Sequence, residues 1–256
     1  MMKTSLVLFA TQALADPLEI KLLALGDSIT YGCGAQSLPN GGGGCAEDAN
    51  GYRIPLLSAL SNINWKGGDG DDDDTYNLYN ITTTGTQSTG NHLVPPWWRQ
   101  HEGYPGYRID QLDGQREGWL AAEPDLITIH LGTNDCYQNY QPQVLIVKME
   151  LLLNHTFEAL PDTHVFLSSI SSMPDGGMNK CVLDFNDLLV PFIKNYNENF
   201  MDRRLNYVPI AEIGLCAAEP AEDAHECTMD HVHPISVGYM KMAAEFLYAI
   251  LQHYQI

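Results

Sequence analysis

The feature that most constrains this chain is a regular alternation of strand-like and helix-like segments. Residues 19–25 (EIKLLAL) read as a buried strand ending at Gly26. Residues 52–60 place Ile54, Leu57 and Leu60 at three-residue spacing, which predicts a helix. Residues 78–84 are β-branched and strand-like, and residues 109–122 read as a helix closed before Pro124. Residues 125–131 (DLITIHL) form an apolar strand running into Gly132. Pro142 suits a first helical turn, and a long helix follows over residues 144–160. Residues 164–168 are a strand, 183–201 a helix and 207–210 a short strand, and Ser236 is placed to cap a last helix through residue 251. Five strands separated by helices imply an α/β chain: a three-layer, flavodoxin-like fold with a five-stranded parallel sheet and helices on both faces. No repeat or linker interrupts the pattern, so residues 16–256 read as one domain.

Residues 1–15 (MMKTSLVLFATQALA) have the form of a secretion signal. Lys3 is the positive start, an apolar stretch follows, and Ala13 and Ala15 fit a small-x-small cleavage site. No run reaches the ~18 apolar residues of a membrane span. All six cysteines lie beyond this segment, an even count that suits an oxidising compartment. Six cysteines allow fifteen connectivities, among which the sequence does not choose. The nearest-neighbour set, Cys33–Cys45, Cys136–Cys181 and Cys216–Cys227, is the expectation taken forward. Sequons at Asn80 and Asn154 are acceptor sites for glycans in a eukaryotic host.

The formal net charge is −19. That disfavours nucleic acid, anionic membranes and polyanionic polymers such as pectin as partners, since these need basic patches. A monomer is expected. Residues 66–75 (KGGDGDDDDT) read as a solvated loop; its carboxylates suit calcium, yet the EF-hand spacing is missing. Residues 41–44, all glycine, read as a flexible loop.

Four blocks carry candidate chemistry. Asp27 and Ser28 follow the first strand, at the carboxyl edge where ligands bind in such sheets. A serine there is a poor nucleophile until a base takes its proton. Near the other end, Asp230 lies three residues before His233, a spacing that lets the acid fix the imidazole tautomer and aim its other nitrogen at the serine. His231 does not fit that spacing. Gly132-Thr133-Asn134-Asp135 ends the third strand, where the Asn134 amide can donate to a developing oxyanion. In His101-Glu102-Gly103-Tyr104-Pro105-Gly106-Tyr107, the Gly106 amide can approach a substrate oxygen with no side chain in the way. Read singly, each block has a plain structural alternative: a helix cap, an Asx turn, a Pro-Gly turn.

In order and spacing together, the blocks resemble the SGNH, or GDSL-type, hydrolases over roughly residues 20–245. The segments GDSITYG, GYRIPLLSAL, HEGYPGYRIDQL and GTND are similar to the acetylxylan esterases of carbohydrate esterase family three. The resemblance implies Ser28 as nucleophile, with Asp230 and His233 completing a triad. It implies an oxyanion hole from the Ser28 and Gly106 amides and the Asn134 side chain, with Asp27 and Asp135 in support. It also implies two-step acyl transfer on acetyl esters of a neutral xylan-like polysaccharide, or on a small ester, with no cofactor. Trp97, Trp98, Tyr104 and Tyr107 flank Gly106 and are candidates to stack on sugar rings. Three other readings compete: a GDSL-type lipase for longer acyl chains, a non-catalytic carbohydrate-binding protein on the same fold, and a zinc hydrolase using His225, Cys227, His231 and His233. Cys227 is better spent in a disulfide, and no HExxH motif is present.

Overall fold

The computed structural model describes residues 18–35, 44–62, 64–66, 75–77, 79–173, 176–200, 204–216, 226–228 and 230–254. The signal-like stretch, His225, and most of the 41–44 and 66–75 loops lie outside the described residues.

The chain runs β1 (Leu18–Gly26), α1 (Ser28–Tyr31), α2 (Arg53–Ser61), β2 (Asn64–Lys66), β3 (Thr75–Asn77), β4 (Tyr79–Thr83) and β5 (Gln87–Ser88). It continues through β6 (Gln100–Gly103), α3 (Ile109–Asp113), α4 (Arg116–Leu120), β7 (Leu126–His130), α5 (Thr133–Tyr137) and α6 (Pro142–Ala159). The last elements are β8 (His164–Ser168), α7 (Gly176–Phe200), β9 (Leu205–Val208) and α8 (Ser236–Tyr254). Strands β4, β1, β7, β8 and β9 pair in that order, all parallel. These are the five expected strands. The sheet is wider than expected by two short strands: β6 pairs the carboxyl end of β1 (Leu25 and Gly26 with Glu102 and Gly103), and β5 pairs β6 antiparallel. At two and four residues, they carry too little periodicity to be read from sequence.

Alternation along β1 explains why both faces are covered. Leu23 and Leu25 pack with Ile127, Ile129, Val165 and Leu167 under α3, α4, α6 and α7. Leu22 and Ala24 pack with Leu126, Phe166 and Val208 under α2 and α8. A strand buried on both faces lacks the polar–apolar alternation of a half-buried one, as in the apolar run of residues 22–25 and in the fully buried Leu126–His130.

Three expectations are corrected. The helix foreseen over residues 109–122 is two short helices that break at Gly114-Gln115, the glycine being the C-cap of α3. Helix α7 begins at Gly176 rather than residue 183, and continues through Pro191. Lys66 and Thr75 are not loop residues: they pair across a two-stranded antiparallel sheet of β2 and β3. Asn80 is exposed on β4, whereas Asn154 is half-buried in α6 and accepts from the Tyr196 hydroxyl at 2.9 Å. Among the described residues, no helix is long and apolar enough to cross a membrane.

Disulfides join Cys33 to Cys45, Cys136 to Cys181 and Cys216 to Cys227. Each has one partner a few residues from a candidate block: Cys33 from Ser28, Cys136 from Asn134, and Cys227 from Asp230. A fourth tie is Arg53, which is 1% exposed. Among the described residues, its guanidinium meets no carboxylate. Nε donates to the Thr30 carbonyl (2.8 Å), Nη2 to those of Tyr31 (3.1 Å) and Ala49 (3.0 Å) and to Thr89 Oγ1 (2.9 Å), and Nη1 to the Thr89 carbonyl (3.2 Å). Burial lowers its pKa to about 10, so it is cationic at neutral pH. Helix α1 is a single turn whose last carbonyls have no helical donors. Arg53 satisfies two of them and so fixes the turn that carries Ser28.

Arg53→Met leaves several buried carbonyls unsatisfied, each worth ~1–3 kcal/mol. Urea unfolding is expected to show a loss of at least about 3 kcal/mol, and Tm a fall on the order of 10 °C. An unchanged Tm would refute this role.

Candidate active site

The site forms at the carboxyl edge of the sheet, where β1, β6, β7 and the loop before α8 converge. Gly26 ends β1 because nothing larger fits: a Cβ there would lie 2.2 Å from Thr30 Oγ1 and 2.3 Å from the His130 carbonyl. Asp27 then caps α1, its Oδ1 accepting from the Ile29 N–H at 2.9 Å. Ser28 follows as the first helical residue, with its hydroxyl turned to the cleft.

The loop before α8 is held closed on itself. Cys227 and Pro234 form a β-bridge, Thr228 N–H donates to the His233 carbonyl (2.9 Å), and Ile235 N–H to that of Glu226 (2.8 Å). His231 has φ +56°, a left-handed turn that swings the following N–H groups back toward Asp230. Asp230 Oδ1 accepts from Thr228 Oγ1 (2.6 Å), Val232 N–H (2.9 Å) and His233 N–H (3.0 Å). Its Oδ2 lies 2.8 Å from His233 Nδ1, and His233 Nε2 lies 2.8 Å from Ser28 Oγ. A carboxylate only accepts, so Nδ1 carries the proton and Nε2 is free to accept from the serine. Burial pushes the Asp230 carboxyl up, but hydrogen bonds from His233, Thr228 and the two backbone N–H groups outweigh it and hold it well below the usual range. Asp230 is therefore ionised at neutral pH.

The opposite wall comes from β6 and β7. Gly106 is exposed with φ +83°, and a Cβ there would meet nothing within 4 Å, so conformation rather than space demands glycine. Asn134 Nδ2 donates to the Tyr107 carbonyl at 3.0 Å and approaches Asp27 Oδ2 at 3.4 Å. That one amide thus links the Gly106-Tyr107 segment to the Asp27-Ser28 turn. Asp135 is fully buried, and its Oδ2 accepts from the Ile109 N–H at 3.0 Å. Asp27 is also fully buried, and desolvation raises its pKa to about 7 despite the cap bond.

The four aromatic candidates separate. Tyr104 and Tyr107 stack, 4.7 Å between centroids, and flank Gly106; Glu102 and Thr86 hold the Tyr104 hydroxyl, and Gln115 donates to that of Tyr107. Trp97 is exposed on the short turn Pro96–Trp98. Trp98 turns inward, its indole donating to the Ile81 carbonyl at 3.2 Å. Of the residues offered as zinc ligands, Cys227 is bonded to Cys216 and His233 lies between Asp230 and Ser28. Sequence reasoning missed Thr228, the Tyr107 carbonyl and Lys148. The first two act through local backbone geometry, and the third is a lone lysine in a long helix, so none carries a spacing signal.

A family model described as GDSL-like Lipase/Acylhydrolase matches residues 22–246. A multidomain esterase of Ruminococcus flavefaciens is 27% identical over 255 residues, covering 89% of this chain; the chain spans only 28% of that protein's length. Among solved structures, a family 3 carbohydrate esterase of Clostridium thermocellum superposes with a TM-score of 0.68 at 19% identity, covering 93% of this chain and 98% of the other. A carbohydrate esterase family 3 structure from Talaromyces cellulolyticus gives 0.64 at 17%, covering 92% and 98%. Axe2, an acetylxylan esterase from Geobacillus stearothermophilus, gives 0.60 at 20%, covering 90% and 94%. At these identities the structural likeness establishes the fold alone. The family model spans most of the sequence, and on that ground the chain belongs to the GDSL-like lipase/acylhydrolase family.

Proposed function

We propose that this chain is a secreted serine esterase that removes acetyl groups from a neutral, xylan-like plant polysaccharide. The observation that carries the reading is the continuous relay Ser28 Oγ, His233, Asp230, with both links at 2.8 Å. Ser28 Oγ attacks the ester carbonyl carbon while its proton passes to His233 Nε2. The carbonyl oxygen becomes an oxyanion facing the Ser28 and Gly106 N–H groups and the Asn134 amide. Collapse breaks the carbon–oxygen bond, and His233 returns the proton to the leaving sugar hydroxyl. Water then attacks the acyl-enzyme, giving up its proton to His233, and acetate leaves as Ser28 is re-protonated. Asp230 stabilises the imidazolium formed in each half.

The acetyl preference and polysaccharide substrate draw support from the structural neighbours, which include family 3 carbohydrate esterases and an acetylxylan esterase. The stacked Tyr104–Tyr107 pair beside Gly106 offers an aromatic wall of the kind sugar rings use. Export draws support from three disulfides, which persist in oxidising compartments.

Acetate release from acetylated xylan and turnover of a C2-to-C12 acyl ester series, with wild type beside Ser28→Ala, test the reading. Acetyl esters are expected to lead, and a preference for long chains would favour a lipase. Ser28→Ala is expected to lose ~10⁶ in kcat, as in subtilisin. Asn134→Ala should lose ~10²–10³, and Asp230→Asn less than Ser28→Ala, because it spoils orientation rather than bond formation. Turnover that survives in Ser28→Ala would overturn the assignment.

Asp27 sets a pH signature. Between about pH 4 and pH 7 the native carboxyl keeps a proton that the unfolded chain has released. The contribution of Asp27 to stability therefore falls as pH rises through that window. Asp27→Asn keeps an oxygen for the Ile29 cap and removes the charge. Its Tm is expected to vary less with pH between 4 and 7 than that of wild type, and equal slopes would contradict the buried carboxyl's role.

A further inference from the structure

Lys148, on α6, lies outside every block the sequence singles out. Its Nζ donates to Asp135 Oδ1 at 2.7 Å and to Asp110 Oδ1 at 2.9 Å, and sits 3.7 Å from the centroid of the Tyr140 ring. The lysine side chain is 14% exposed and that of Asp135 not at all. Burial alone would lower the ammonium pKa; the two carboxylates hold it above its ordinary value instead. The pair is a clamp with two arms. Asp135 Oδ2 holds the Ile109 N–H, and the neighbouring Asn134 amide holds the Tyr107 carbonyl, so α5 grips the segment after Gly106 at two points. The clamp also carries charge. Asp135 stands one residue from a proposed oxyanion donor, and its field reaches Asp27, acting in the same direction as burial there. Burial raises the Asp135 carboxyl pKa, while the Lys148 ammonium and the Ile109 N–H favour its ionised form; ionised and unpaired at that place, it would oppose the negative charge that grows on the substrate oxygen.

We propose that Lys148 is a positioning residue for acyl transfer: by pairing with Asp135 it cancels buried negative charge beside the oxyanion hole and keeps the Gly106 and Asn134 donors in register. The proposal rests on the esterase reading above. It explains why a lysine, rather than an apolar residue, occupies a nearly buried position on the inner side of α6.

The test is a double-mutant cycle on 4-nitrophenyl acetate at pH 8, with kcat and KM measured for wild type, Lys148→Met, Asp135→Asn and the double variant. Methionine keeps the apolar stem, and asparagine keeps an oxygen for the Ile109 N–H. Because Lys148→Met strands a buried carboxylate and costs stability, rates are normalised to active sites titrated with a fluorophosphonate that labels Ser28. Lys148→Met is expected to lower kcat about 10–100-fold with KM changed less than about twofold, since the lost term is felt where charge develops. The double variant, which holds no stranded carboxylate, should recover most of that loss in kcat per titrated site with KM still little changed, a split that a loss of folded enzyme alone would not produce. An unchanged kcat in Lys148→Met, or a double variant no faster than Lys148→Met, overturns the proposal. A wild type with no Ser28-dependent turnover sinks the esterase reading itself, and the proposal with it.

Discussion

The bond between Ser28 and His233 joins residues 205 positions apart, and it can form only because the sheet is parallel. In a parallel sheet every strand delivers its following loop to the same edge. Strand β1 brings Ser28 there, β6 and its loop bring Gly106, β7 brings Asn134, and the segment after β9 returns Asp230 and His233 to the same side. Packing on both faces leaves that edge as the open one. The chemistry proposed for this chain is thus a consequence of topology first, and of side-chain identity second.

Within that frame, rigidity is concentrated around the site. Arg53 ties off the carbonyls of the α1 turn, Asp230 gathers three donors on one oxygen, and the disulfides fasten the flanks of the Ser28, Asn134 and His233 segments. The buried charges follow one rule. Asp135 is matched by Lys148, the partly exposed Asp230 by hydrogen bonds, and Asp27, which has no cation in contact among the described residues, by keeping its proton to about pH 7.

Much of this was legible in the sequence. The doubly buried strands were visible because apolar residues dominate them, and the Asp230–His233 contact because a three-residue spacing lets the acid reach the imidazole. Two kinds of feature stayed hidden. Short edge strands such as β5 and β6, and the break at Gly114, are set by what packs around them rather than by local periodicity. Arg53 and Lys148 were hidden for another reason: their partners are main-chain carbonyls in one case and distant carboxylates in the other, and neither leaves a pattern in one sequence. Trp98 shows the converse: an aromatic near a motif in sequence whose indole is spent on the Ile81 carbonyl.

The order of the relay along the chain has a consequence for biosynthesis. The hydroxyl of Ser28 leaves the ribosome well before the imidazole of His233. At roughly 5–20 residues per second, the 205 residues between them take roughly 10–40 seconds to make. Throughout that interval the nascent polypeptide holds an unactivated alcohol and cannot act on esters it meets. Under the proposed mechanism the alcohol gains its base only when the segment carrying Asp230 and His233 docks, so a product truncated ahead of residue 230 holds the hydroxyl without the imidazole.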